Sequence, residues 1–343
     1  MKDVDLDVLA RWMDAQGIPG EPITDPKPLG GGTQNIMLLF TRGGREFVLR
    51  RGPKHLRPKT NDALRREMRV LRALADTDVR CPGFIAGCED EEVLGGAVFY
   101  LMEPVDGFNA TVSLPDLHAG DPAVRHAMGL DAVTALATLA AVDHRAVGLG
   151  DVGKPEGFLE RQVPRWISEL ESYSRHEGYP GPDLPGIDEV AAWLEANRPA
   201  TFTPGIVHGD YHLANLMFRF DGPELAAIVD WEMCTVGDPL LDLGWLLATW
   251  PDEDAGAAVV AGALAMAGGL ATRDELLARY AEHSSRDLSA IDWYTVMACF
   301  KLAIILEGTH ARACAGKANA DVGDLLHSIA VGLFERAQGL AAV

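Results

Sequence analysis

Residues 207–231 read VHGDYHLANLMFRFDGPELAAIVDW, an H-x-D-x-x-x-x-N loop followed by a short hairpin that ends in a second aspartate. Two carboxylates and one amide on consecutive strand ends suit phosphoryl transfer: one acid orients a hydroxyl nucleophile, while an amide oxygen and a second carboxylate hold Mg2+. Asp210 is the candidate for the hydroxyl, because a carboxylate there accepts its hydrogen bond and fixes the in-line angle of attack. Asn215 supplies the amide oxygen to the metal. Asp230 ends the apolar run Ile228-Val229, and a charge closing a buried strand is costly unless it is paired or bound to metal. Any one of His208, Asp210 and Asn215 alone would be read as satisfying a loop's backbone groups. Their joint spacing, with Asp230 behind a hairpin, points to a kinase.

A rival reading uses the alternation of His208, Asp210 and His212, since a strand would project all three to one side as in a metallohydrolase. Such a site needs further His or Asp clusters. His55, His118, His126, His144, His176, His283, His310 and His327 are scattered along the chain and suggest no second cluster.

The elements that must position these residues fall into two parts. A chain of 343 residues exceeds the size at which one hydrophobic core stops growing, so two lobes are expected, and 48% apolar residues suffice to fill them. Leu6, Leu9 and Met13 recur at helical spacing with Gly17 as the stop. TQNIMLLFT and REFVLRR form a β-hairpin around Arg42-Gly43-Gly44, and NDALRREMRVLRALA is a helix with one buried stripe from Leu64 to Ala75. GFIAGCE and GAVFYLME add two strands, and the stretch 104–121, rich in Pro, Gly and Asp, is the boundary. Beyond it helices are expected near 125–142, 157–173, 187–197, 239–250, 254–267, 272–284, 293–315 and 322–340, the sixth opened by a Thr272/Glu275 capping box. The hairpin of the 207–231 segment is the one β element expected in this half. The fold class is therefore α+β, with an N-terminal lobe over 1–103 and a mainly helical C-terminal lobe over 104–343.

The formal charge of -20 argues against nucleic acid, a polyanion that would be repelled. Five cysteines without a CxxC pair indicate neither a zinc knuckle nor a disulfide framework, and reduced thiols in a cytoplasmic protein are expected. The acidic N-terminal segment lacks the pattern of a signal peptide, and the longest uncharged stretch, 255–271, is too short to span a bilayer.

The motifs LGGGTQN, FVLRR, REMRVLRAL, FYLMEPVDG, GFLERQVPRW, VHGDYHLAN and VDWEMCTVGDPLLDLGWLL resemble those of the aminoglycoside phosphotransferase family, small-molecule kinases with the two-lobed protein-kinase-like fold. It is similar in particular to the branch of bacterial phosphotransferases that resembles the kinase-like domain attached to certain acyl-CoA dehydrogenases. The resemblance implies an N-lobe antiparallel sheet plus helix, Asp210 as the catalytic carboxylate, and Asn215 and Asp230 as Mg2+ ligands. It also implies that Gly30, Gly31 and Gly32 cover nucleotide phosphates, and that the strand reaching Met102 and Glu103 leads into an adenine-binding hinge. Arg50 stands where the family's wider fold has a lysine, with Glu67 as its partner. Arginine keeps the charge but not lysine's geometry. Arg51 is the alternative for that role but reads more simply as a solvated strand end, and Asp238 and Asp242 read as anchors of the loop or helix caps. His212 stands where a protein kinase places lysine, which points to the small-molecule branch. The implied function is ATP- or GTP-dependent, Mg2+-requiring phosphorylation of a small-molecule hydroxyl, aminoglycoside-like or a hydroxy acid or hydroxyacyl group. A catalytically silent nucleotide-binding protein is the alternative within the same fold.

Overall fold

In the computed structural model, which describes residues 4–30, 35–56, 58–251 and 258–342, the chain's contacts divide into two units. The first comprises Met1–Gly107 and Ala226–Cys234, the second Phe108–Leu225 and Thr235–Val343.

The first unit begins with α1 (Leu6–Ala15), whose start is capped by the Asp5 carboxylate accepting from the Val8 N–H at 3.0 Å. β1 (Thr24–Pro28), β2 (Ile36–Arg42), β3 (Arg45–Arg51), β4 (Phe84–Cys88) and β5 (Phe99–Met102) form one sheet in the order β1-β2-β3-β5-β4, with antiparallel pairing throughout. The β2–β3 hairpin turns on Gly43 and Gly44 at φ +58° and +76°, the left-handed conformations that a two-residue turn demands. β1 was not anticipated, because Pro26 and Pro28 argue against a strand. At a sheet edge their missing N–H groups remove no obligatory ladder bond. α2 (Thr60–Leu74) buries Leu64, Met68, Leu71 and Leu74 together with one charge, Glu67. The segment 226–234 joins this unit through the Ile228 N–H, which donates to the Arg80 carbonyl at 2.8 Å, and through a 3-10 turn, Trp231–Met233, that packs on α2.

The second unit is mainly helical. Its elements are β6 (Phe108–Asn109), α3 (Asp116–Gly120), α4 (Pro122–Ala141), α5 (Gln162–Glu171), α6 (Ile187–Ala196), β7 (Gly205–Val207) and β8 (Leu216–Phe218). β9 (Leu225–Ile228) then carries the chain into the first unit. After β10 (Thr235–Gly237) come α7 (Leu240–Thr249), α8 (Ala258–Ala267), α9 (Arg273–His283), α10 (Ile291–Cys314) and α11 (Ala320–Ala341). Each helix expected from periodicity is present, and α9 carries both halves of the Thr272/Glu275 capping box. The expected start of α8, 254–257, lies outside the described residues. The β content of this half exceeds the expectation of one hairpin. β7 pairs antiparallel with β10, and β6 with β8, in runs of two or three residues that are too short to leave a period-2 signature. Among the described residues no helix is long and apolar enough to cross a membrane. All five cysteines are free; Cys88, Cys234 and Cys299 are buried, whereas Cys314 is exposed.

α10 is the hub of the second unit, packing on α5, α6, α7 and α11. Its approach to α7 depends on Gly244, where an added Cβ would lie 2.4 Å from the Tyr294 carbonyl oxygen. Because that neighbour is helix backbone, it cannot swing aside. Gly244→Ala is therefore expected to cost about 1–3 kcal/mol, measured as a lower denaturant midpoint; an unchanged midpoint would show that the α7–α10 contact tolerates a methyl group.

Candidate active site

Within the second unit the loop after β7 carries Asp210 and Asn215. Gly209 at φ +89° bends it sharply, and the buried Asp242 near the start of α7 holds it there. The Asp242 carboxylate accepts the His208 N–H at 2.6 Å on one oxygen and the Gly209 N–H at 2.8 Å on the other. Burial pushes the Asp242 carboxyl up to about 7 against the pull of these two N–H groups and of Lys301. Asp238 acts one turn earlier: it accepts the Leu240 N–H at 3.1 Å at the head of α7 and the Tyr294 hydroxyl from α10.

Asp210 follows the bend. The Asn215 side-chain nitrogen donates at 2.9 Å both to the Asp210 carbonyl and to its Oδ2, so the amide's oxygen is directed away from Asp210. The other carboxylate oxygen, Oδ1, lies 3.2 Å from His212 Nε2. His212 Nδ1 in turn accepts the Ala214 N–H at 3.3 Å, which defines the ring's orientation. Burial raises the Asp210 carboxyl, but His212, His208 and Lys301 outweigh it and leave the group below the usual carboxylate range. It is ionised at neutral pH, an acceptor for a hydroxyl rather than a strong base.

His208 is fully buried and its Nδ1 faces the Asp210 N–H at 3.3 Å. The segment 208–212 is a loop rather than a strand, so the alternation behind the metallohydrolase reading does not place three side chains on one face. Among the described residues the His, Cys, Asp and Glu trio with converging donor atoms lies elsewhere, at Glu307, His310 and His327.

Lys301 was missed by sequence reasoning. It comes from the middle of α10, where a lone lysine in an apolar helix carries no motif. Its Nζ donates to the Gly209 carbonyl at 3.1 Å and lies 4.1 Å from the centre of the Trp245 ring. Burial lowers its amine to about 8, opposed by Asp210 and Asp242. The loop is thus held through its N–H groups by an acid and through a carbonyl by a cation.

In the first unit, β3 and α2 form an ionic cluster. Arg50 Nε donates to Glu67 Oε2 at 3.0 Å and its terminal nitrogen to Asp230 Oδ1 at 2.8 Å, so the fork of one guanidinium spans two acids. Burial pushes the Glu67 carboxyl up, opposed by Arg50, and Tyr100, the cross-strand partner of Arg50, hydrogen-bonds to Glu67. Burial by itself would lower the Arg50 guanidinium, yet Glu67, Tyr100 and Asp230 together raise it. Asp230 has φ +66°, rare outside glycine and costly by about 1 kcal/mol or more, the kind of local strain that clusters at functional sites. Arg51 points elsewhere and is buried rather than solvated, donating to the Leu94 carbonyl at 2.9 Å.

The other nucleotide candidates are more dispersed. Gly30 precedes β2 in open surroundings, and Gly31 and Gly32 lie outside the described residues. Met102 is buried at the end of β5. The Glu103 N–H donates to the Gly83 carbonyl at 2.8 Å, and its exposed carboxylate pairs with Arg45 at 2.8 Å.

With a five-stranded antiparallel sheet, a mainly helical second unit and the H-x-D-x-x-x-x-N loop in place, the chain belongs to the Phosphotransferase enzyme family, which it matches over residues 25–283. A crystal structure from Ralstonia eutropha JMP134, provisionally described as an aminoglycoside phosphotransferase, is 30% identical, with 98% of this chain and 99% of that one covered at a TM-score of 0.79. Aminoglycoside phosphotransferase APH(4)-Ia, solved with ADP and hygromycin B, shares the fold at a TM-score of 0.61 and 15% identity, over 95% of this chain and 97% of that one. Acyl-CoA dehydrogenase family member 10 of Mus musculus is 27% identical over 92% of this chain, and family member 11 of Homo sapiens 28% identical over 89%. The chain spans only 29% and 38% of the lengths of those two relatives.

Two outcomes test these assignments. Arg50→Met leaves a buried Glu67 and its neighbour Asp230 without their cation, at an expected cost of about 3–5 kcal/mol. The loss should be larger at pH 8 than at pH 6, where Glu67 can take up a proton; a loss below 1 kcal/mol on the order of a surface pair at both pH values would contradict the cluster. Lys301 titrates lower in the folded chain, about 8, than its ordinary 10.5, so between those values the unfolded chain binds the extra proton and stability rises with pH. The unfolding free energy of the parent chain minus that of Lys301→Met should therefore grow across that window, and a flat or falling difference would contradict the buried amine.

Proposed function

We propose that this phosphotransferase moves the γ-phosphoryl group of ATP or GTP to the hydroxyl of a small molecule. The observation that carries the reading is the Asp210–Asn215 pair. An ionised carboxylate is fixed by the amide nitrogen, and the amide oxygen is directed away from it. In the step proposed, the acceptor oxygen forms a bond to the γ-phosphorus as the bond to the bridging oxygen breaks. The nucleoside diphosphate leaves, and the hydroxyl proton passes to Asp210 and on to solvent. Asp210 orients that hydroxyl, and catalysis comes from positioning and charge neutralisation rather than from a covalent intermediate.

Asn215 and Asp230 are assigned to Mg2+. The fit is chemical: an amide oxygen and a carboxylate are hard donors of the kind Mg2+ takes alongside nucleotide phosphates. Bound there, the ion would neutralise phosphate charge. Arg50 is assigned to the phosphates and Glu67 to holding Arg50, while Gly30, Gly31, Gly32, Met102 and Glu103 are assigned to the nucleotide. The ternary complex of one protein of the same fold with ADP and hygromycin B, and the acyl-CoA dehydrogenase context of other relatives, favour two acceptor classes, aminoglycosides and hydroxy acids or hydroxyacyl groups.

A second reading is a nucleotide-binding protein without transfer, favoured by the bond from Arg50 to Asp230, which engages an oxygen otherwise offered to metal. A nucleotide-consumption screen over hydroxylated metabolites and aminoglycosides separates the two. Transfer predicts turnover on at least one acceptor, reduced about 10²–10⁴-fold by Asp210→Asn with nucleotide affinity retained. Turnover unchanged in that variant would sink the proposal, and nucleotide binding without turnover on any acceptor would select the second reading.

A further inference from the structure

Where α10 meets α11, a second constellation forms that the phosphotransferase reading does not use. Glu307 and His310 stand three residues apart on one face of α10, and His327 faces them from α11. One donor atom from each lies within 4.8 Å of the other two. Glu307 is fully buried, with no solvent to balance its charge. Its two oxygens are divided: Oε1 accepts the Tyr179 hydroxyl at 2.7 Å, and Oε2 faces His327 Nδ1 at 2.7 Å. The rings of His310 and His327 lie 4.7 Å apart between centres. His310 Nδ1 is buried without a hydrogen-bond partner, 3.5 Å from Asp324 Oδ1, and its Nε2 lies 3.6 Å from Cys314 Sγ.

We infer that Glu307, His310 and His327 form a binding site for a transition-metal divalent cation of the zinc class. Two imidazoles and one carboxylate are a recurrent donor set for Zn2+, with a fourth position left to water. Around a tetrahedral Zn2+ the donors stand about 3.3 Å apart, so the present spacing needs side-chain adjustments of about an ångström rather than movement of either helix. Tyr179 supports the site from outside, as a hydrogen-bond donor to the oxygen of Glu307 turned away from His327. Mg2+ is a poor match, because it prefers an octahedron of oxygens. The ion would clip α11 to α10, the helix that also carries Lys301 to the Gly209 carbonyl.

Calorimetric titration of the full, chelator-treated chain with Zn2+ at neutral pH tests this. One equivalent should bind, and a large excess of Mg2+ should not compete. His310→Ala and His327→Ala, both partly exposed positions whose folding is checked by thermal unfolding, should each weaken binding by at least about tenfold, and Tyr179→Phe by about tenfold. Cys314→Ser should leave affinity unchanged. The inference is overturned if stoichiometric binding is absent, if it survives both histidine substitutions, or if it is lost with Cys314→Ser, which would mark an adventitious thiolate site. Because the readout is binding of the metal alone, failure here leaves the phosphotransferase reading untouched.

Discussion

The carboxylate of Asp242 is the constraint on which the loop chemistry depends. Gly209 turns the chain at a positive φ, and such a bend exposes backbone N–H groups that have no strand to receive them. Asp242 takes two of them at once, and hydrogen bonds to a charged acceptor are each worth about 1.5–3 kcal/mol. The acid is buried, so ionising it is costly, and the nearby Lys301 amine offsets that cost while fixing the Gly209 carbonyl. Asp210, Asn215 and His212 inherit their positions from this anchor. The order of causes runs from a helix start, through two backbone bonds, to the orientation of a carboxylate.

The first unit solves a similar problem with a different group. Glu67 lies on the buried stripe of α2, where a charge has no place unless another meets it. Arg50 meets it and, through its second arm, also reaches Asp230. A lysine offers one point charge on a flexible stem, whereas the guanidinium can hold two carboxylates in a fixed plane. Arg50 is therefore coupled to the conformation of Asp230, itself strained at a positive φ.

Much of this was legible in the sequence because it rests on short-range rules. Glycine pairs mark hairpins, Thr272 and Glu275 mark a helix start, and apolar periodicity marks the helix stripes. Within the candidate site, Asp210 and Asn215 are legible because both belong to one loop. What stayed hidden depends on distance along the chain. Lys301 acts on a carbonyl 92 residues away, and His310 and His327, read as scattered, are brought together by the packing of α10 on α11. β1 was concealed by its prolines, and Arg51, judged by charge alone, is buried on a carbonyl. Periodicity carries no information about such pairings, since they are decided by which faces of the folded elements meet.

The loop is proposed to serve transfer of a phosphoryl group to a carbon-bound hydroxyl. Phosphorus NMR of the chain incubated with Mg2+, nucleoside triphosphate and a pool of hydroxylated acceptors follows the γ-phosphorus directly. With transfer, the γ resonance is replaced by that of a phosphomonoester, in step with the appearance of nucleoside diphosphate. A γ resonance that persists, or that passes only to inorganic phosphate with every acceptor, would contradict it.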